Sequence, residues 1–165
     1  MVAVTVNGFS VGTDASCIVQ DDYGDQFPLS DLGRVMDIDT EAVDTLITIV
    51  PIDNGGIPVH QVTWHGGTGR FTFARANGNL QQMILDLMDA YHRRGVIPQF
   101  SLSINILNRD GTVDEYLYTG VQFNKPTFGN YKGMKEVDQS LAFAWAQCVG
   151  TGGGAPFLTA LAAAA

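Results

Sequence analysis

Charge is what this chain has least of. Only 16% of its 165 residues are Asp, Glu, Lys or Arg, against roughly 25% in an ordinary soluble domain. Most of that charge is negative: 17 acids against 9 Lys and Arg leave a formal −8, with a pI near 4.5. This balance excludes a nucleic-acid grip, which needs a basic patch. It still allows a surface that nucleic acid slides past without sticking. Cysteine is scarce too. Cys17 and Cys148 are too few and too far apart for a metal cluster or a disulfide scaffold. They read as two reduced, packed thiols, with an inter-subunit disulfide as the sharper alternative. The histidines His60, His65 and His92 fall at unrelated spacings, and H-E-x-x-H and G-x-S-x-G are both absent. Asp37 and Asp39 share a strand face, but a solvated pair does no acid–base work. Neither an enzyme nor a cofactor is expected.

Long apolar runs are also missing. None approaches the roughly 18 residues that span a bilayer, so no membrane partner is expected. The opening Met1-Val2-Ala3-Val4-Thr5-Val6 lacks the cationic and apolar segments of a secretory signal, so folding in a cytosol is expected. The length suits one domain with a real core. Mean hydropathy is +0.08. A mildly apolar, weakly charged chain must hide surface, and contact between subunits is the simplest place. The alternative is a monomer with a quiet surface.

What is present is organised around residues 99–149. Gln99–Asn108 reads as a strand in which Phe100, Leu102, Ile104 and Ile106 alternate with Gln99, Ser101, Ser103 and Asn105. Arg109-Asp110-Gly111 supplies a tight turn into a second strand, Thr112–Thr119. A Gly-containing crossover over Phe123–Met134 leads to one long strand, Glu136–Val149. There Leu141, Phe143 and Trp145 alternate with Ala142, Ala144 and Ala146. One face of this sheet is apolar; the other is small or polar without charge.

Upstream, Val2–Val11 reads as a short strand or arm, and Cys17-Ile18-Val19 as an apolar run that ends in the acidic loop Asp21–Asp25. That loop lacks the spacing of a calcium site and is expected to be a solvated turn. Arg34–Thr40 and Leu46–Pro51 look like two strands with an acidic stretch between them. Val59–Trp64 returns from a Pro- and Gly-rich tip to close a long hairpin. His65–Arg70 reads as a β-turn and lacks the Lys-Ser/Thr of a phosphate loop. One helix is expected over Asn79–Arg94. Leu80, Met83, Ile84, Leu87, Met88 and Tyr91 form its stripe, Asn77 or Asn79 its cap, His92-Arg93-Arg94 its cationic end, and Gly95 its stop. The expected fold class is mainly β (α+β): a small antiparallel β-barrel or sandwich flanked by one helix. The long hairpin is a finger, and residues 150–165 form a flexible Gly/Ala-rich tail after a domain over 1–149.

Three stretches carry a resemblance: Tyr118-Thr119-Gly120-Val121; Gly129-Asn130-Tyr131-Lys132-Gly133; and Glu136-Val137-Asp138-Gln139-Ser140-Leu141-Ala142-Phe143. Together they resemble the C-terminal signature of tail tube proteins from contractile-tailed bacteriophages. Thr63–Phe73 followed by the amphipathic helix is similar to that family's central hairpin and helix. The match spans about residues 35 to 149; the N-terminal part and the tail match less or not at all. The resemblance implies a structural subunit that forms hexameric rings, stacked into the tube through which DNA is ejected. Its implied partners are itself, the tail sheath, the tape-measure protein, and baseplate and tail-terminator proteins, with DNA passing unbound. Its implied place is the virion, assembled in the host cytoplasm. On this reading Gln99, Ser101, Ser103, Asn105, Ala142 and Ala144 face the lumen. The finger tip, Pro51, Ile52, Asp53, Asn54, Gly55, Gly56, Ile57 and Pro58, contacts an adjacent ring. The ring protein of a type VI secretion system or contractile bacteriocin is the near alternative, and a small ligand-binding β-barrel the distant one.

Overall fold

The computed structural model describes residues 15–50, 55, 57–108, 111–131 and 133–150. The arm expected over Val2–Val11 and the tail over 151–165 lie outside them, as do Pro51, Ile52, Asp53, Asn54 and Gly56 of the finger tip. Strand β1 (Ala15–Asp21) is followed by β2 (Gln26–Pro28), a 3-10 turn (Leu29–Asp31), β3 (Arg34–Ile49) and β4 (Val59–Ala74). Helix α1 (Asn79–Arg94) then leads to β5 (Phe100–Leu107), β6 (Val113–Asn130), β7 (Asp138–Trp145) and β8 (Gln147–Gly150). The pairings are antiparallel. Strand order runs β2-β1-β5-β6-β7-β4-β3, with β8 added to β6. Among the described residues the order does not close on itself, so the sandwich half of the expectation is the one observed.

Strand β6 joins the two layers. Its first half pairs with β5 and β8 and its second half with β7. Val121 lies opposite Phe100 and Tyr118 opposite Leu102, so β6 carries one extra residue at Thr119-Gly120. This bulge uses the positive φ of Gly120, +64°. Strict alternation would turn Val121 outward; the bulge keeps both Tyr118 and Val121 inside, at 8% and 0% exposure. Opposite the bulge the chain bends at Ala146, whose amide donates to the Thr119 carbonyl at 3.0 Å. The β1-β5-β6 layer contributes Cys17, Val19, Phe100, Leu102, Ile104 and Tyr118 to the core, and the β6-β7-β4 layer contributes Phe71, Phe73, Val121, Phe123, Leu141 and Phe143. The Phe71 and Phe143 rings stack with centroids 4.5 Å apart. Leu80 and Ile84 of α1 close one end of this core.

Helix α1 has the expected bounds and stop: Gly95 sits in the left-handed region and donates to the Tyr91 carbonyl. At its start the Asn77 side-chain oxygen accepts the backbone amide of Asn79, the first helical residue, at 3.1 Å. The side-chain amides of Asn77 and Asn79 also donate to the Asp31 carbonyl, tying the helix to the 3-10 turn. The acidic loop is a turn held by Asp21, whose carboxylate accepts from the amides of Tyr23 and Asp25.

Four expectations about strand boundaries are corrected. The acidic stretch Asp37–Glu41 lies inside one sixteen-residue strand, β3, because each of its residues pairs across to β4. The turn expected at His65–Arg70 is absent: β4 runs straight through. Its glycines are there for close packing, since a Cβ on Gly67 would collide with the Trp145 ring and one on Gly69 with the Phe143 ring. The crossover over Phe123–Met134 is strand as far as Asn130, with irregular register after Asn124. The last strand is two strands, so Ala146 sits at the bend, off the face of Ala142 and Ala144.

Gly69→Ala should destabilise the fold by about 1–3 kcal/mol, the cost of overpacking a filled core. Thermal unfolding checks it, and an unchanged melting temperature would contradict the packing account. Cys17 is buried, and desolvation pushes its thiol from 9.0 up to about 12. The folded chain therefore holds this proton longer than the unfolded chain. Its contribution to stability is complete below about 9 and lost as pH rises toward about 12. Maleimide at pH 8 should label half-buried Cys148 in the native state and spare Cys17 until denaturant is added.

Candidate functional site

The distinctive chemistry lies on faces, edges and the finger. On the outer side of the second layer, Asp37, Asp39 and Glu41 of β3 pair with Thr72, Arg70 and Thr68 of β4. These residues pair in turn with Ser140, Ala142 and Ala144 of β7, and the last two with Asn124 and Gln122 of β6. Short side chains run down β7, Arg70 of β4 stands beside Ala142, and acids gather along the β3 edge. A shallow depression of about 340 Å³ lies over Ala142, bounded by Asp39, Glu41, Arg70 and Lys125. Lys125 is the one non-glycine residue with positive φ, +44°, among the described residues. That strained backbone sits where the β6–β7 register breaks.

On the outer side of the first layer, Ser101, Ser103 and Asn105 of β5 pair with Gln20, Ile18 and Ser16 of β1. Ser103 donates to the Glu115 carboxylate at 3.1 Å. Phe100, Leu102 and Ile104 are buried and Ile106 packs against the core, so the alternation of β5 is as expected. Gln99 lies just before β5, and its amide donates to Asp22. The β5 row and the Ala142/Ala144 row thus occupy the outer faces of different layers, with the aromatic core between them.

The finger is the distal part of the β3–β4 hairpin, from Asp44 to Ile49 and Val59 to Trp64. It leaves the core after a β4 bulge at His65-Gly66, where Gly66 takes φ +80°. Apolar residues occupy both of its faces: Leu46 opposite Val62 on one, Ile49 opposite Val59 on the other. All four are exposed, as is Trp64 at 68%. A two-stranded ribbon in water is marginal on its own, and an exposed apolar one marks a contact surface. Of the expected tip residues, Gly55, Ile57 and Pro58 are exposed. The sequence pattern placed the hairpin, but not how far its apolar ribbon projects.

Among the described residues no group of three or more His, Cys, Asp or Glu side chains is placed to hold a metal ion. His60 meets Thr48 across the finger, Nδ1 to Oγ1 at 3.0 Å, away from the other histidines.

No protein-family model matches this sequence, and no curated protein does. Solved structures do match. A chain of the sheath/tube terminator of the PVC extracellular contractile injection system is similar over 90% of this chain and 99% of its own, with TM-score 0.63 and 9% identity. A chain of the PVC sheath-tube complex in the extended state matches over 92% and 94%, with TM-score 0.61 and 9% identity. The SPP1 tail tube matches over 87% and 80%, with TM-score 0.56 and 16% identity. At such identities the likeness is one of fold, and the fold this chain shares is that of contractile-injection-system tube assemblies and a phage tail tube.

Proposed function

We propose that this protein is the structural subunit of a tail tube. Copies form hexameric rings, and the rings stack into a channel through which DNA is ejected. The observation that carries this reading is the β3-β4-β7-β6 layer. Its outer face is lined with short and polar side chains, and its two edges, β3 and the second half of β6, are unpaired among the described residues. An unpaired edge recruits another strand. A layer with two such edges continues from copy to copy, and in a closed ring no edge remains. The seam is then electrostatically matched, with Asp37, Asp39 and Glu41 on one edge and Lys125 on the other.

In this arrangement Ala142 and Ala144 line the lumen together with Thr68, Arg70, Thr72 and Ser140. The β5 row, Ser101, Ser103 and Asn105, lies on the opposite side of the subunit. Net charge of −8 suits passage of DNA without retention. The finger reaches an adjacent ring, where its apolar ribbon is covered. The role is structural, not catalytic. Sheath, tape-measure, baseplate and terminator proteins are the partners such a tube requires, in a virion assembled in the host cytoplasm. A tube of an extracellular injection system is the second reading, favoured by the higher structural similarity to the PVC chains.

Electron microscopy of the purified protein should show rings or tubes; monomers under every condition would sink the proposal. Lys125→Glu should raise the concentration needed for assembly about tenfold, equivalent to about 1.4 kcal/mol at the seam. The face assignment is checked by cysteine labelling of assembled tubes in a Cys148→Ser background. A bulky maleimide should be excluded from Ala142→Cys and admitted at Ser103→Cys, and the reverse pattern would reassign the lumen.

A further inference from the structure

Gln139 is the one buried polar side chain among the described residues, 1% exposed. It stands on the inward face of β7 with Leu141 and Phe143, where the alternation calls for an apolar residue. Its Nε2 donates to the Phe128 carbonyl at 2.9 Å, and its Oε1 finds no donor among the described residues. A methionine there would fill similar space without burying a half-satisfied amide. What the amide adds is one donor, aimed at one carbonyl of β6.

That carbonyl lies where β6 breaks step with β7. Asn124 pairs with Ala142, Thr127 with Ser140 and Asn130 with Asp138. Strand β6 thus advances six residues where β7 advances four, so it carries two extra residues, one on each side of Thr127. Thr127 is tied down on the outer face, where Ser140 Oγ donates to its hydroxyl at 3.1 Å. Phe128 is tied down from the inner face by Gln139. Consecutive residues of β7 therefore hold the double bulge from both sides of the sheet, and a side-chain amide stands in for a ladder bond. Between Asn124 and Thr127 lie Lys125, at φ +44°, and Pro126, which has no N–H to offer a neighbouring strand.

The far side of this stretch is an open edge of the layer. The free edge of β3 runs in regular register with β4 from Asp37 to Ala42. A regular strand laid along β6 can pair over Gln122–Asn124 and must stop or step at Lys125-Pro126. The place of the bulge therefore fixes the register of such a pairing. We propose that Gln139 and Ser140 are positioning residues for the ring seam. Together they hold the β6 bulges at the place that sets the register in which a neighbouring copy's β3 pairs. The proposal rests on the tube reading and assigns the two residues that shape one edge of its seam.

Proteolysis below the assembly concentration and assembly itself, both measured on the full chain, test it. In Gln139→Met, chymotrypsin should cut after Phe128 about tenfold faster relative to its cut after exposed Tyr23, and the concentration needed for assembly should rise about tenfold. Ser140→Ala, at a half-buried position outside the core, should raise that concentration about threefold. In a Lys125→Glu background each substitution should cost less than it does alone, because the edge it shapes is already impaired. Full additivity would mean that the two residues act on general stability and would overturn the positioning role. Uniform tubes from Gln139→Met at the unsubstituted concentration would overturn it too. Should Gln139→Met not fold, Ser140→Ala alone and combined with Lys125→Glu decides by the same criteria. If the unsubstituted chain does not assemble, the tube reading fails and the seam role fails with it. The cut after Phe128 then still reads the local hold on β6, and an unchanged rate there would overturn that hold as well.

Discussion

The close approach of β7 onto β4 is the constraint on which the rest of the structure depends. The rings of Phe143 and Trp145 lie over the backbone of Gly69 and Gly67, and no other residue leaves room for them there. Phe143 then stacks on Phe71, which also meets Phe73 and Phe123. Four aromatic side chains from three strands form one packed unit, and Phe100 extends it into the other layer through Phe123. Because these rings are directed inward, the intervening positions of β7 and β4 are directed outward. The short residues Ser140, Ala142 and Ala144 thereby become a wall.

The two layers are held in register by paired irregularities. The bulge at Gly120 and the bend at Ala146 face each other across β6, and a backbone hydrogen bond joins them. Tyr118 from the first layer meets Trp145 from the second with ring centroids 5.3 Å apart. Burial pushes the Tyr118 pKa up. The same chain segment thus serves both sheets, which is economical in a domain of this size and leaves one edge of β3 and one edge of the end of β6 unpaired among the described residues. Those open edges, together with an uncovered apolar finger, make the isolated subunit an incomplete object. Its exposed surface is what a repeating assembly would bury.

Much of the fold was legible. Helix α1 follows from a 3.6-residue stripe with cations and Gly95 at its end, and β5 from strict alternation between Phe100 and Ile106. The hairpin follows from the Pro/Gly cluster between two apolar runs. Two of the errors share one cause. Gly66-Gly67-Thr68-Gly69 looks like a turn because glycine is the usual turn residue, but here glycine serves packing by Trp145 and Phe143, some seventy-five residues away in sequence. The Gly-containing crossover over Phe123–Met134 likewise proves to be strand as far as Asn130.

Local pattern therefore determined the elements, their two-faced character and the weak, acidic charge that argues against a grip on DNA. Those properties are set by spacing and composition, and no partner strand is needed to read them. Which faces share a side was decided only by the tertiary structure. The polar row of β5 and the alanine row of β7 look alike in sequence, yet the bend of β6 at Gly120 places them on outer surfaces of different layers. A two-residue period says that a strand has two faces. Only the pairing of strands distant in the chain says which face meets the core's far side and which edge is left open.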